Sequence, residues 1–226
     1  KQSGVSDGSV LGINTQTGKQ VVLLDKDANL HTLAIGTTGS GKTTGIANIV
    51  ESAIQKRQPL IYVDGKGDLD LAHRIERFAK AQDVPFYLFS MVGKSCKYNP
   101  LASGGYTAKK DRLIELRVWS EDHYRKIAEA YLQTVFKILD VCDVQVDLVT
   151  LSKYLRHEAL YNLARQHNKP ALLPLIEPLE SKWKDISSLA SEIENMVQSE
   201  IGGLFDCASN DEGALILSEA LKQINY

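Results

Sequence analysis

The chain has few cysteines, and their spacing excludes a disulfide framework. Its 226 residues include only Cys96, Cys142 and Cys207, an odd number of widely separated thiols with no C-x-x-C pair. This usage fits a reducing, cytosolic compartment better than a secreted, disulfide-linked domain. We therefore expect all three cysteines to be small apolar core residues.

Long apolar runs, metal-ligand clusters and a strong net charge are also missing. No stretch approaches the roughly 18 apolar residues of a membrane span, and no signal peptide is visible. The net charge of −2 gives no overall support for nucleic-acid binding, although local patches or an oligomeric channel would still permit it. Five histidines are scattered without metal-ligand spacing: His31, His73, His123, His157 and His167.

The most informative feature is the stretch G-T-T-G-S-G-K-T at residues 36–43, a complete Walker A pattern. An apolar segment at residues 32–35 precedes it, and an apolar-periodic segment at residues 43–57 follows it. This is the strand–loop–helix context that a phosphate-binding loop requires. An ordinary glycine-rich turn with a solvent-exposed lysine is the alternative interpretation.

This pattern predicts an ATP·Mg²⁺ site. Glycines allow close backbone approach, and loop N–H groups at a helix N-terminus form an anion-binding nest. Lys42 would contact the β- and γ-phosphates, and the Thr43 hydroxyl would bind Mg²⁺. The predicted nucleotide-binding residues are Gly36, Thr37, Thr38, Gly39, Ser40, Gly41, Lys42, Thr43 and Thr44.

The first hundred residues read as an α/β arrangement. Apolar runs on either side of Gly18 predict a β-hairpin, and strands are predicted at residues 32–35, 60–63 and 84–89. Helical periodicity predicts a second helix at residues 69–82. Strands that alternate with helices favour a parallel sheet with right-handed crossovers.

The pattern changes near residue 100, after which strand signals disappear and helices dominate. A long amphipathic helix is predicted at residues 120–142, with Ser120 as its cap. Further helices are predicted at 148–155, 158–167 and 179–199, separated by prolines, and a short helix at 217–222 leads toward a strand at Ile224. The apolar face of the long helix, interpreted as core, comprises Tyr124, Ile127, Tyr131, Val135, Ile138 and Cys142.

Hydrolysis needs more than the loop, because an acidic residue must hold Mg²⁺ and a base or water-positioning residue must act. Asp64 ends an apolar strand and is the local candidate for the acid, which would hold the metal through a water molecule. The predicted catalytic residues are Lys42, Thr43 and Asp64. No second strand ending in Asp-Glu occurs in the sequence. We expect that pair, and the strands that complete the sheet, beyond residue 226. The start at Lys1 likewise suggests part of a longer protein, with an upstream membrane anchor left open.

The motifs together resemble the TraD/TraG family, the coupling ATPases of conjugation and type IV secretion, which are related to the FtsK and HerA DNA pumps. The resemblance is carried by residues 31–44, by I-Y-V-D-G-K-G-D at 61–68, by Y-N-P-L at 98–101, by the α-helical insertion, and by the closing segment at 216–226. It implies a partial P-loop NTPase (RecA-like) parallel sheet with an inserted all-α domain. The implied domains are residues 1–105, the helical insertion at 106–200, and the return at 201–226.

The resemblance also implies roles. It places the Asp-Glu pair after the helical domain, so that Asp64 becomes an auxiliary or structural acid, with the Mg²⁺ role left as the alternative. Lys66 would approach a phosphate, either in its own subunit or in a neighbouring one. The alternative is that Lys66 is a solvated lysine of the turn. The implied assembly is a ring, expected to be a hexamer, at the cytoplasmic face of the bacterial inner membrane. Membrane attachment would come through a segment outside this chain.

Three functions remain open on the sequence. The first is a motor that moves DNA, nucleoprotein or protein cargo through a secretion apparatus, although the fragment alone would hydrolyse ATP poorly. The second is a nucleotide-stabilised platform whose helical domain binds secretion substrates or accessory proteins. The third, ranked last, is a small-molecule kinase or other P-loop enzyme. Basic residues available to acidic partners, or simply solvated, are Lys109, Lys110, Arg112, Lys182 and Lys184.

Overall fold

The computed structural model describes residues 7–28, 30–207 and 214–222. The chain divides into two compact units. The first comprises Lys1–Leu88 together with Leu217–Tyr226, and the second comprises Phe89–Ile216. None of the helices in these described ranges combines the length and apolar composition needed to cross a bilayer.

The first unit opens with the predicted hairpin, which is confirmed. Strand β1 (Gly8–Ile13) pairs antiparallel with β2 (Gln20–Leu24), and a short helix α1 (Asp25–Ala28) follows. The connecting turn places Gly18 at φ 67°, a left-handed conformation that glycine adopts without steric cost. The glycine in the turn was therefore a sound signal for the hairpin.

Helix α2 (Lys42–Gln55) and helix α3 (Leu69–Ala81) confirm the two helices predicted in this part of the chain. Their facing sides form a small apolar cluster because the buried residues recur every three or four positions. The cluster comprises Ala47, Val50, Ile54, Leu71, Ile75 and Ala79.

The three predicted parallel strands are absent from the described structure. Residues 32–35, 60–63 and 84–89 are irregular, and the two sheets found contain only two strands each. Leu33, Ile35 and Val63 are 83%, 85% and 87% exposed. Parallel strands need hydrogen-bonded neighbours and helices on both faces, whereas α2 and α3 share one small apolar cluster and α2 also packs against strand β1. The P-loop NTPase sheet therefore stays a prediction.

The second unit is helical around one large core. Helix α5 (Asp122–Val141) contributes seven buried residues to it, among them Tyr131 and Phe136, which are almost inaccessible to solvent. A short parallel pair joins β3 (Lys97–Tyr98) to β4 (Ala214–Leu215). The other helices are α4 (Tyr106–Glu115), α6 (Leu148–Tyr154), α7 (His157–Gln166) and α8 (Leu173–Gln198).

Two helix starts differ from the prediction. Helix α5 begins at Asp122 with Glu121 as its N-cap residue, so Ser120 is not the cap. Helix α8 begins at Leu173 rather than 179, and it contains both Pro174 and Pro178. Pro174 lies in the first turn, where the missing N–H has no helical partner to lose. Pro178 lies deeper, and the helix continues through it.

The unit boundary falls at residues 88 and 89 rather than at 105 and 106, because Y-N-P-L belongs to the helical core. Leu101 is fully buried there, and the Asn99 side-chain amide donates to the Val146 carbonyl at 3.0 Å. The second boundary falls at 216 and 217 rather than at 200 and 201. Helix α9 (Leu217–Ala220) confirms the short helix predicted after it. The strand predicted at Ile224 and the turn at 209–213 lie outside the described residues.

Candidate phosphate-binding site

The candidate loop leads directly into the N-terminus of α2. Gly39 and Gly41 have φ angles of 81° and 84°, and Gly41 is the N-cap residue of the helix without a side-chain cap. The first N–H groups of a helix have no intrahelical acceptor, and the helix dipole makes this end electropositive. The sequence therefore builds a terminus that can accept an anion.

Lys42 closes the loop on itself. Its ammonium donates to the Gly36 carbonyl at 2.5 Å and to the Thr37 carbonyl at 2.6 Å. A cation at the first residue of the helix is thereby held against the first two residues of the loop. Charge and backbone amides are concentrated at one place, which is the chemistry that recognises phosphate.

Gly36 is closely packed against the Ser40 side chain of this loop. A Cβ atom at residue 36 would lie 2.3 Å from the Ser40 hydroxyl oxygen, far inside van der Waals contact. A Cβ atom at Gly39 or Gly41 would meet nothing within 4 Å, so these two residues are needed for their left-handed backbone instead. The glycines thus serve two different physical purposes.

Thr43 and Thr44 occupy the first turn of α2, and both are exposed. Within the described parts of the chain, no hydrogen bond engages the Thr43 hydroxyl, so it remains available as an oxygen ligand. The exposed amides, the Lys42 ammonium and the Thr43 hydroxyl fit a magnesium-bound triphosphate. Lys42 would hold the phosphates and Thr43 the metal; the bound nucleotide would supply the phosphoanhydride bond to be cleaved.

Asp64 lies in a turn that its own carboxylate organises. Its two oxygens accept the N–H groups of Lys66 at 3.0 Å and Asp68 at 2.6 Å. The N–H groups of Asp68 and then Lys66 hold the pKa of the Asp64 carboxyl below its ordinary value of 3.8. Asp68 in turn caps α3 by accepting from the Leu71 N–H at 3.1 Å.

These contacts give Asp64 a structural role in the D-G-K-G-D turn. Among the described residues, no hydrogen bond or ion pair links this turn to residues 36–44. Hydrogen bonds join Lys42 to Gly36 and Thr37, whereas the described hydrogen bonds of Asp64 stay within its own turn. The Mg²⁺ role for Asp64 stays a prediction, as does the approach of Lys66 to a phosphate.

The sequence interpretation missed the residues that position α2. Asn48, Ser52 and Lys56 form a polar stripe at i, i+4 and i+8 on this helix. Asn48 donates to the Leu11 carbonyl at 3.1 Å, and Lys56 pairs with Asp25 at 2.6 Å. The hairpin is thereby attached to the helix that follows the loop. The four-residue spacing of polar side chains on an otherwise apolar helix was the available signal.

The predicted basic cluster of the second unit is largely committed to local contacts. Arg112 donates to the Ser103 carbonyl at 2.6 Å, and Lys110 pairs with Asp111 at 2.6 Å. Lys184 is exposed, whereas Lys109 and Lys182 are partly buried. Within the described ranges, no hydrogen bond or ion pair gathers these five residues into one surface.

The structure thus places the Walker A sequence pattern of residues 36–43 in a loop that leads into a helix N-terminus. Residues 18–86 match the family model for the type IV secretion-system coupling protein DNA-binding domain. This stretch contains the loop, the D-G-K-G-D turn and helices α2 and α3. The resemblance drawn from the motifs is confirmed over these residues, which are similar to the coupling-protein domain.

Two curated relatives are similar over part of the chain. The type 4 coupling protein DotL of Legionella pneumophila is 36% identical over 64 residues, which are 28% of this chain and 8% of that protein. An uncharacterized protein of Mycoplasma pneumoniae is 37% identical over 73 residues, 29% of this chain and 60% of that protein. The chain therefore spans less than two thirds of either relative. No solved structure matches it.

Proposed function

We propose that this chain is part of a coupling ATPase that uses ATP hydrolysis to transfer DNA, nucleoprotein or protein cargo through a type IV secretion or conjugation apparatus. The observation that carries the proposal is the Lys42 ammonium, held 2.5 Å from the Gly36 carbonyl in the loop that leads into the N-terminus of α2. The coupling-protein match over residues 18–86 supplies the kind of apparatus. DNA as cargo follows from that family, whose matched domain is a DNA-binding domain.

In this proposal the chain's own residues bind and orient the nucleotide. Loop amides and Lys42 would neutralise phosphate charge, and the Thr43 hydroxyl would fix the metal beside it. Lys42 would also stabilise charge that develops on the phosphate oxygens. The same proposal includes the Asp-Glu pair, an arginine finger and a ring of subunits. The ring is expected to be a hexamer at the inner membrane.

A nucleotide-stabilised docking platform is the second candidate. It is favoured by the Asp64 carboxylate, which is engaged by the amides of Lys66 and Asp68. The loop would then bind nucleotide without a nearby acid to promote hydrolysis, and the helical unit would bind secretion substrates or accessory proteins.

The rate of ATP hydrolysis with and without duplex DNA separates these candidates. The measurement is made on the full-length gene product and on its Lys42→Ala variant, with Lys26→Ala as the control lysine. A motor predicts DNA-stimulated turnover that Lys42→Ala abolishes and Lys26→Ala leaves unchanged. Turnover that DNA does not alter favours the platform, and full turnover by Lys42→Ala contradicts the proposed site.

A further inference from the structure

The connection between α4 and α5 presents two apolar side chains to solvent. Leu116 is 74% exposed and Val118 is 96% exposed, although only one residue separates them. Neither side chain contributes to the helical core. Exposed apolar groups gain free energy when a partner covers them.

Anchoring residues hold this connection in place. Between Leu116 and Val118, Arg117 stacks over the Trp119 ring at 4.9 Å and contacts the Ser188 hydroxyl on α8 at 3.1 Å. The Trp119 indole N–H donates to the Ile114 carbonyl at 2.9 Å. A preorganised contact surface loses less conformational entropy on binding, and such surfaces carry the strongest hot spots.

Carboxylates precede and follow the two apolar residues along the chain, another lies on α8, and each paired carboxylate is more exposed than its arginine. Glu192 is 56% exposed, whereas its partner Arg117 is 28% exposed. Glu115 is 70% exposed, whereas its partner Arg125 is 42% exposed. Glu121 and Asp122 are also exposed and follow directly along the chain; Lys126 lies one helical turn beyond Asp122.

We propose that this surface, defined by Leu116, Val118 and the carboxylates Glu115, Glu121, Asp122 and Glu192, is a docking site for a basic protein segment that carries apolar side chains. Apolar anchors in the centre would supply affinity, and the acidic rim would select positive charge and raise the association rate. The same rim repels phosphate, so DNA and anionic lipid are poorer occupants. The proposal does not depend on the phosphate-binding loop.

The test selects random 16-residue peptides on phage against the 226-residue chain, with counter-selection against the Leu116→Ser/Val118→Ser double variant. Both side chains are exposed, so this variant should unfold at the temperature of the parent protein. The best peptide is then synthesised with a fluorescent label and titrated by anisotropy. Val141→Ser is the matched control, because Val141 is an apolar residue of α5 that is 42% exposed elsewhere on the same unit.

The proposal expects enriched peptides with net positive charge and apolar residues. Their affinity should fall about tenfold or more in the double variant, in the range expected for losing two anchors. It should fall less in Glu115→Gln/Glu192→Gln and stay unchanged in Val141→Ser.

Selection that yields no such peptide, or peptides that bind the double variant equally well, overturns the proposal. Duplex DNA of 20 base pairs and phosphatidylglycerol vesicles are titrated in parallel. Weaker binding of either probe to the double variant would assign the surface to that probe instead. Sedimentation of the unlabelled chain completes the test: a dimer that the double variant loses would make a second copy the occupant and overturn the proposal as well.

Discussion

The ammonium of Lys42 lies 2.5 Å from the carbonyl oxygen of Gly36, six residues earlier in the chain. This contact joins the first residue of the loop to the first residue of helix α2. It places a positive charge against the loop backbone, next to the free amides of the helix N-terminus. The loop is thus electrostatically prepared for an anion by contacts among its own residues.

Gly36→Ala should disrupt this loop. The new Cβ atom would lie 2.3 Å from the Ser40 hydroxyl oxygen and 3.3 Å from the Ser40 Cβ, so the Ser40 side chain must rotate and the loop must shift by a few tenths of an ångström. We expect affinity for ATP·Mg²⁺, measured by calorimetry, to fall at least about tenfold, which corresponds to about 1.4 kcal/mol. The thermal unfolding temperature should change little because residue 36 is exposed.

Gly45→Ala is the matched control for this prediction. Gly45 lies inside α2, where an added Cβ atom meets nothing within 4 Å. Alanine in a helix interior is favoured over glycine by about 0.5–1 kcal/mol, so this variant should be more stable. Equal effects of the two substitutions on nucleotide affinity would contradict the packing argument for Gly36.

Asp143→Gly should stabilise the second unit. Asp143 follows the end of α5 at φ 55°, and the Val144 N–H donates back to the Leu139 carbonyl at 2.9 Å, as in a Schellman motif. Glycine adopts this conformation without strain, and we expect a gain of about 0.5–1 kcal/mol. Urea unfolding followed by the fluorescence of Trp119 and Trp183 measures it. Asp143→Ala retains the left-handed strain and should show no gain; an equal gain there would refute the explanation.

Asp147→Ala should destabilise the second unit strongly. Asp147 is 2% exposed, and its carboxylate accepts the N–H groups of Thr150 at 2.6 Å and Cys207 at 2.7 Å. The variant loses the cap of α6 and the carboxylate hydrogen bond to the Cys207 N–H, at a cost of about 2–4 kcal/mol.

The same urea unfolding experiment provides the control for Asp147. Asp147→Asn keeps one carbonyl oxygen and should lose less stability than Asp147→Ala. A loss below about 0.5 kcal/mol for the alanine variant, the size expected at an ordinary surface position, would show that these two hydrogen bonds do not hold the unit together.

The Asp64 turn should depend on pH in the acid range. Because the amides of Asp68 and Lys66 lower the folded pKa of the Asp64 carboxyl, its contribution to stability is present above the unfolded pKa, which is near 3.8. That contribution is lost as the pH falls through the lower folded pKa. In ¹⁵N NMR, the Asp68 amide should titrate with a midpoint below 3.8, and this transition should vanish in Asp64→Asn. A midpoint at or above 3.8 would mean that the two hydrogen bonds do not persist in solution.

Local signals in the sequence predicted the hairpin and most helices well. Gly18 marks the hairpin turn, and the spacing of Leu71, Ile75 and Ala79 marks the buried face of α3. Such features depend on neighbours a few residues away. The start of α8 was predicted wrongly because Pro174 and Pro178 were interpreted as helix breaks, whereas the first turn of a helix tolerates proline.

Long-range relationships were harder to predict. The apolar pattern at residues 32–35 and 60–63 is typical of buried strands, yet strand pairing depends on partners that local pattern does not specify. The contact between Asn99 and Val146 spans 47 positions, and it assigns Y-N-P-L to the helical unit. In the candidate site, the motif identified Lys42 and Thr43, but the hydrogen bonds of Asp64 to its own turn emerged only from the structure.

The binding of ATP·Mg²⁺ by the 226-residue chain, measured by isothermal titration calorimetry, tests the central claim most directly. The loop should bind one nucleotide, and Lys42→Ala should weaken binding at least about tenfold, since a charge-assisted contact to phosphate is lost. Lys26→Ala, a lysine of the short helix α1, should bind as the parent does. Absence of heat with millimolar ATP·Mg²⁺, or equal affinity in the parent chain and Lys42→Ala, would contradict the assignment of residues 36–44 as a nucleotide site.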